Sequence, residues 1–270
     1  MQDWNTRGMS AAKTQYLART RSECMVSKSF EKYVNSLKHK KYRAQHHRFI
    51  AEGEKTVQEF LEEGFAIEKI LALTEWTTRH ERWKKKYKVE EVSPLQMQKL
   101  SSLITPSPVM MIGEMPQHTM VPQKISAQIN LVLDGISDPG NLGTIIRTAD
   151  WFGIEYVFCS ENCADAYNPK TVQASMGSLA RVKVMEMKLE ALFSQFPKTP
   201  VFAASLKGTS VYELKPVSSG FILIGSEAHG ISPALNYFVK EHITIPRIGK
   251  AESLNAAVAA GIVCSALRKH

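Results

Sequence analysis

The sequence offers little that would staple a fold or anchor it. It has 4 cysteines, and Cys24, Cys159, Cys163 and Cys264 make no CxxC pair with a second ligand pair. That excludes a zinc ribbon or a disulfide framework, leaves no metal expected, and fits a reducing cytoplasm. No apolar run approaches the ~18 residues needed to span a bilayer, so no membrane partner is expected. Residues 1–25 lack the apolar centre of a secretory signal. Arg7, Lys13, Arg19 and Arg21 give that stretch a transit-peptide flavour that Asp3 and Glu23 oppose, and Met9 and Met25 offer later starts. It is set apart as a leader. Two nucleotide signatures are also missing: no Gly-Lys-Ser/Thr follows a glycine-rich loop, and no GxGxxG spacing occurs.

What is present describes a globular protein. Hydrophobic residues make up 44% and charged residues 22% of 270, enough apolar content for a sizeable core and enough length for two modest domains. Charge is uneven. Residues 1–127 carry 21 Lys and Arg against 14 Asp and Glu, or +7, whereas 128–270 carry 13 against 12, or +1. A basic half beside a nearly neutral one suggests a polyanion partner for the first and a small ligand for the second.

Along the first half, Phe30, Tyr33, Val34 and Leu37 recur at helical spacing, the basic stretch His39 to Arg48 reads as a loop, and Phe49 to Gly53 as a strand. A helix bearing Val57, Phe60 and Leu61 stops at Gly64, a strand covers Ile70 to Leu73, a polar helix Thr77 to Lys86, and a short strand Val89 to Val92. This alternation predicts a small α/β domain over 26–113. Pro106, Pro108, Pro116 and Pro122 favour extended chain and place a linker at 114–127. From Ile129 onward the apolar runs become continuous: Ile129 to Leu133, Tyr156 to Cys159, Val201 to Ala204, Phe221 to Ile224 and Ile243 to Ile245. Strands buried on both faces of a parallel sheet look like this, so 128–270 is expected to be a doubly wound α/β domain.

Three segments of this second domain carry chemistry. Leu133 to Ala149 reads as strand, glycine-rich turn and helix, with Asn141, Thr144 and Thr148 on one polar edge and Arg147 within its reach. Phe221 to Ser232 is an apolar strand running into a turn with one carboxylate, Glu227, where a ligand should lie at the strand's carboxyl end. Ile243 to Gly249 leads through Lys250 to Ser253 into a helix, with Ser253 placed to cap it and Leu254, Ala257, Val258, Gly261 and Ile262 as its apolar face.

Together these segments resemble the three ordered motifs of the SpoU (TrmH) branch of the SPOUT methyltransferases: N-x-G-x-x-x-R-T, G-[S/A]-E-x-x-G-[I/L] and I-P-x(6)-S-L-N-x-[A/S]-V-A. The resemblance covers 129–270, and the first half is similar to the ribosomal-protein-like RNA-binding domain that often precedes this catalytic domain. It implies a parallel sheet with a deep trefoil knot, S-adenosylmethionine as cofactor, and methyl transfer to a ribose 2′-hydroxyl of structured RNA, ribosomal (23S-like) before transfer RNA. It assigns Arg147 to the catalytic centre with Asn141, Glu227, Ser253 and Asn255 around it, and the cofactor to Gly225, Ile245 and Leu254, joined by Ala204 or Ser205. It also implies a homodimer packed around the knot, with Arg147 reaching a partner's pocket.

Several residues keep a plainer reading beside these. Asn141 serves equally as a helix cap, Glu227 as the anchor of its own loop, and Ser253 and Asn255 as loop supports. His229 reads as an exposed loop residue. Ala228 stands where the motif often has glycine, and Arg247 and Lys250 suit either RNA phosphate or solvent. In the first domain Lys38, Lys40, Lys41 and Arg43, with Tyr42 among them, match an RNA contact in which cations neutralise phosphate and a ring offers a stacking platform. A non-catalytic RNA-binding or ribosome-assembly factor that retains the fold is the competing function.

Overall fold

A computed structural model describes residues 26–268; the 1–25 leader and Cys24 lie outside the described residues. The chain divides into two compact units, the first running to Val57 and then from Ala66 to Glu114, the second comprising Gln58–Phe65 and everything from Met115 on.

In chain order the first elements are α1 (Lys28–Ser36), α2 (Lys40–His46), β1 (Arg48–Glu52), α3 (Glu54–Glu62), β2 (Ile67–Ala72), α4 (Thr74–Arg79), α5 (Glu81–Lys86), β3 (Val89–Glu91), α6 (Pro94–Leu100) and β4 (Val109–Glu114). Ser27 caps α1 by accepting the Phe30 N–H at 3.2 Å, and Ser93 and Gln96 form a reciprocal capping box on α6. The sheet order is β1-β4-β2-β3, with β4 antiparallel to both neighbours and β2 parallel to β3. Val34, Leu37, Ile50, Leu71, Met97, Met110 and Ile112 close one apolar cluster.

Two expectations are corrected here and a third is filled in. The basic stretch after His39 is a helix, α2, rather than a loop, because Arg43 turns inward to 2% exposure and its Nη1 donates to the Leu37 carbonyl at 2.9 Å. The polar helix expected over Thr77 to Lys86 is two, α4 and α5, broken at His80, whose backbone leaves the helical region (φ −125°, ψ 40°) while its ring stacks on Trp76. The proline-bearing stretch conceals β4, whose Val109, Met110, Met111 and Ile112 are fully buried.

The second unit continues with α7 (Pro122–Ala127), β5 (Ile129–Asp134), α8 (Pro139–Trp151), β6 (Tyr156–Cys159), α9 (Pro169–Ser175), β7 (Lys183–Glu186), α10 (Leu189–Gln195), β8 (Val201–Ser210), β9 (Gly220–Gly225), β10 (Glu241–Thr244) and α11 (Ala256–Leu267). Its sheet runs β10-β8-β9-β5-β6-β7 and every pairing is parallel. Tyr156, Phe158, Phe193, Phe196 and Phe221 fill one side of it, each such ring contributing about 1.5–3 kcal/mol by leaving water. Helix α7 lies inside the stretch expected as linker and adds the buried Ile125 to that cluster.

Helix α11 packs on α8 and β9, and its buried face differs from the expected one. Ala256, Ala257, Ala260, Val263, Cys264 and Leu267 point inward, whereas Val258 is 51% exposed and Leu254 precedes the helix at 44%. Small residues dominate that face, which lets the backbone of α11 approach closely. Cys159, Cys163 and Cys264 are buried and unbridged. No helix among the described residues is long and apolar enough to cross a membrane.

Candidate active site

Strands β5 and β9 are neighbours with Asp134 opposite Gly225, so the loops that follow them leave the same end of the sheet side by side. Asp134, 6% exposed, fastens them: its Oδ2 accepts the Ser232 N–H at 2.7 Å. Asp134 carries no role in the sequence pattern, because its partner lies 98 residues away in the chain.

Helix α8 starts at Asp138, whose Oδ1 accepts the Asn141 N–H at 2.8 Å and whose Oδ2 accepts from Lys170 Nζ at 3.0 Å. The Lys170 ammonium, then the backbone donors, hold the Asp138 carboxyl below its usual range. The cap is therefore Asp138, and the Asn141 side chain is left for other work. Thr144 and Thr148 donate their hydroxyls back to the helix carbonyls of Gly140 and Thr144, so that polar edge presents fewer donors than expected. Gly143 is required by packing, since a Cβ there would stand 2.5 Å from the Thr171 carbonyl oxygen of α9.

The turn after β9 closes through paired bonds between Ser226 and Gly230, at 3.1 and 2.9 Å. A Cβ on Gly225 would meet the Gly230 carbonyl carbon at 2.3 Å, so only glycine fits at that position. His229 is exposed on this turn. Arg247 is drawn into its own loop, its Nη1 donating to the Ala251 carbonyl at 3.2 Å, and Lys250 is exposed.

The three motif segments meet through side chains. Asn141 Nδ2 donates to Glu227 Oε1 at 2.7 Å, and Asn255 Nδ2 donates to Asn141 Oδ1 at 2.9 Å. Glu227 Oε1 also accepts the Ala256 N–H at 3.2 Å. Asn255, rather than the expected Ser253, caps α11, its Oδ1 accepting from Ala257 and Val258 at 3.0 and 3.3 Å. One carboxylate and two amides thus tie the start of α8, the turn after β9 and the start of α11 into one unit, with both Asn141 amide atoms committed. Arg147 stands exposed on α8, and no carboxylate pairs with it among the described residues.

Beside this tie lies a cavity of about 1050 Å³. Gly225, Ile245, Leu254, Ala204 and Ser205 all line it, with Glu227 and Ser253, whereas Asn141, Arg147 and Asn255 do not. Ile224, Ile245, Leu254 and Val263 supply apolar wall, and Glu227 and Glu252 bring carboxylates. Ser205 is partly spent on its own turn, donating to the Lys207 carbonyl at 2.5 Å. Lys207 and Arg247 line it as well, so the cavity has the size and the mixed apolar and charged lining of a small-molecule site. Among the described residues no group of three or more His, Cys, Asp or Glu is placed to hold a metal ion.

In the first unit the expected RNA contacts divide. Arg43 is buried, a correction forced by its bond to the Leu37 carbonyl. Lys38 Nζ donates to the Ser101 carbonyl at 3.0 Å, and burial lowers its pKa against the opposing pull of Glu52. Lys40 and Lys41 are exposed, as is Tyr42 at 38%, with Lys41 Nζ 5.9 Å from its ring.

Comparison with known proteins bears on both units. Residues 128–265 match the model of the SpoU rRNA Methylase family, and residues 30–111 match the MRM3-like substrate binding domain. A 23S rRNA (guanosine(2553)-2′-O)-methyltransferase of Bacillus subtilis is 32% identical over 232 residues, covering 85% of this chain and 92% of that one. A solved structure of a TrmH-family protein from Porphyromonas gingivalis aligns with TM-score 0.79 and 35% identity over 90% of this chain and 98% of that one. An AdoMet-bound rRNA methyltransferase from Sinorhizobium meliloti aligns with TM-score 0.79 and 27% identity, covering 90% and 96%.

Proposed function

The chain belongs to the SpoU rRNA methylase family, and from that premise we propose that it methylates a ribose 2′-hydroxyl of large-subunit ribosomal RNA in the cytoplasm, as a homodimer. It is an RNA 2′-O-ribose methyltransferase and its cofactor is S-adenosylmethionine. Ribosomal RNA as the acceptor rests on the Bacillus subtilis relative. The observation that carries the assignment to this site is the Glu227–Asn141–Asn255 tie at the rim of the cavity.

The residues present fit the cofactor. The apolar walls of Ile224, Ile245 and Leu254 suit an adenine ring, and the carboxylates of Glu227 and Glu252 suit a sulfonium and an ammonium charge. Gly225, Ile245 and Leu254 would hold it, with Ala204 and Ser205 lining the same cavity. When bound, S-adenosylmethionine would supply a methyl group already activated for transfer, so orienting the acceptor and removing the proton that its 2′-hydroxyl gives up are what the protein adds. Glu227 Oε1 is committed to Asn141 and Ala256, leaving Oε2 to orient a ligand hydroxyl. Ser253 lines the same cavity and can donate to the acceptor nucleotide.

An arginine remains charged in proteins, so Arg147 serves as a clamp on the phosphate beside the target ribose and stabilises charge developing on the 2′-oxygen. Arg147 does not line the cavity of its own chain, which favours service in a partner's cavity. The exposed Val258 on α11 and Trp151 at the end of α8, 51% and 84% exposed, are apolar surface for such a partner to cover. A trefoil knot through the last segment is part of the same proposal. Its support is the return of α11 to Asn141 and Glu227 and the pairing of Arg268 beside Val217.

Arg147→Ala is expected to retain cofactor binding by calorimetry and to lose methyl incorporation into RNA by at least ~100-fold, the scale of removing one group that stabilises transition-state charge. Mixing it with Glu227→Ala should restore activity if Arg147 acts across subunits. Incorporation that is unchanged in Arg147→Ala contradicts the assignment, and failure of the mixture to recover places Arg147 in its own subunit's site.

A further inference from the structure

The strongest unassigned charge in the first unit lies neither on α2 nor in the second unit, but on α5 and the two residues after it. Across 82–88 the chain has five cations and no carboxylate: Arg82, Lys84, Lys85, Lys86 and Lys88, all exposed. The sheet order places β3, which this segment enters, at the edge opposite β1, which α2 enters. Lys84 is bound to Glu91 at 2.9 Å. Nearby Glu90 is taken by Lys69 at 2.6 Å.

Long cationic side chains normally lose much rotamer freedom on binding. Here two are already braced on rings. Arg82 stacks 4.5 Å from the Trp83 ring, and Lys86 Nζ lies 5.8 Å from Trp83 and 5.2 Å from Tyr87. Trp83 is 8% exposed and so acts as a fixed floor, while Tyr87 is half-buried. Braced cations around a half-buried ring suit a sugar-phosphate backbone with a base beside it. An anionic lipid surface would be better met by exposed apolar residues among the cations, and the aromatic here that is largest is buried.

We propose that Arg82, Lys85, Lys86 and Lys88 form a docking face for the RNA backbone, with Tyr87 as its stacking ring. This rests on the reading that RNA is the methyl acceptor, and it moves the principal electrostatic contact away from α2 and the turn before it, where Arg43 and Lys38 donate to carbonyls.

The test uses the full chain with all four residues changed to glutamine, which removes the charge and keeps a polar, unbranched side chain. Binding to a large-subunit ribosomal RNA transcript is followed across salt concentration, and calorimetric S-adenosylmethionine binding reports an intact second unit. The four cations should each contribute ~0.7–0.9 to the slope of log K against log salt, so the variant's slope should be shallower by about 3 and its affinity at 0.15 M salt lower by at least ~10-fold. Should that variant not fold, the doubles R82Q/K85Q and K86Q/K88Q should each show about half the slope change. Unchanged affinity and slope overturn the proposal. So does a loss confined to phosphatidylserine vesicles, which would make the face a lipid contact. If the unaltered protein transfers no methyl to RNA yet the slope change is seen, the acceptor reading fails while the docking face stands.

Discussion

Asn255 illustrates how one side chain serves two ends. Its Oδ1 caps α11 through Ala257 and Val258, while its Nδ2 donates to Asn141. Replacing an asparagine cap by alanine costs about 0.5–2 kcal/mol, so Asn255→Ala should lower stability by that amount in urea unfolding and weaken activity as well. Asn255→Asp separates the roles, because it keeps the acceptor for the helix and removes the donor to Asn141. It is expected to regain most of the stability and little of the activity, and recovery of both would remove the Asn141 contact from the mechanism. The sequence pattern located Asn141, Glu227 and Asn255 without showing that they touch. Capping rules favoured Ser253 over Asn255 because both are good caps two residues apart, and only the start of α11 decides between them. Asp134 and Lys170 act through partners 98 and 32 residues away, separations that no local pattern encodes.

At the scale of elements, the legible parts were those whose burial leaves a periodic trace. The apolar stretches 131–133 of β5, 201–203 of β8 and 221–224 of β9, with the whole of β6, are buried and stand out for that reason. Strand β7, Lys-Val-Met-Glu at the sheet edge, has no residue buried outright and leaves no such trace. Helix α2 was missed because its stability comes from Arg43 reaching the end of α1, a tertiary contact that its charged sequence does not announce. The α8–α9 contact is a case where a motif residue has a packing reason. With 2.5 Å to the Thr171 oxygen and 2.6 Å to the Ala174 Cβ, Gly143→Ala must push the helices apart. A cost of about 1–3 kcal/mol is expected, read as a lowered urea midpoint, together with weaker activity as Asn141 shifts. A neutral substitution would show that α9 yields freely.

For the whole molecule, the uneven charge pointed to a polyanion for the first unit and a small ligand for the second, and the second unit holds a cavity of about 1050 Å³ at the end of its parallel sheet. Which basic residues meet the polyanion was harder to read, because a lysine's side chain can turn to solvent or to a carbonyl in the same sequence context. Lys38 and Arg43 do the latter, whereas Lys85 and Lys88 are exposed. Methyl transfer to a ribose oxygen can be measured directly. Ribosomal RNA from cells lacking the gene is incubated with the purified protein and methyl-labelled S-adenosylmethionine, then hydrolysed in alkali. A 2′-O-methyl group blocks cleavage at its own phosphodiester, so label is expected in an alkali-resistant dinucleotide, absent with Arg147→Ala. Label recovered only in mononucleotides would mark a base as the acceptor and contradict transfer to ribose.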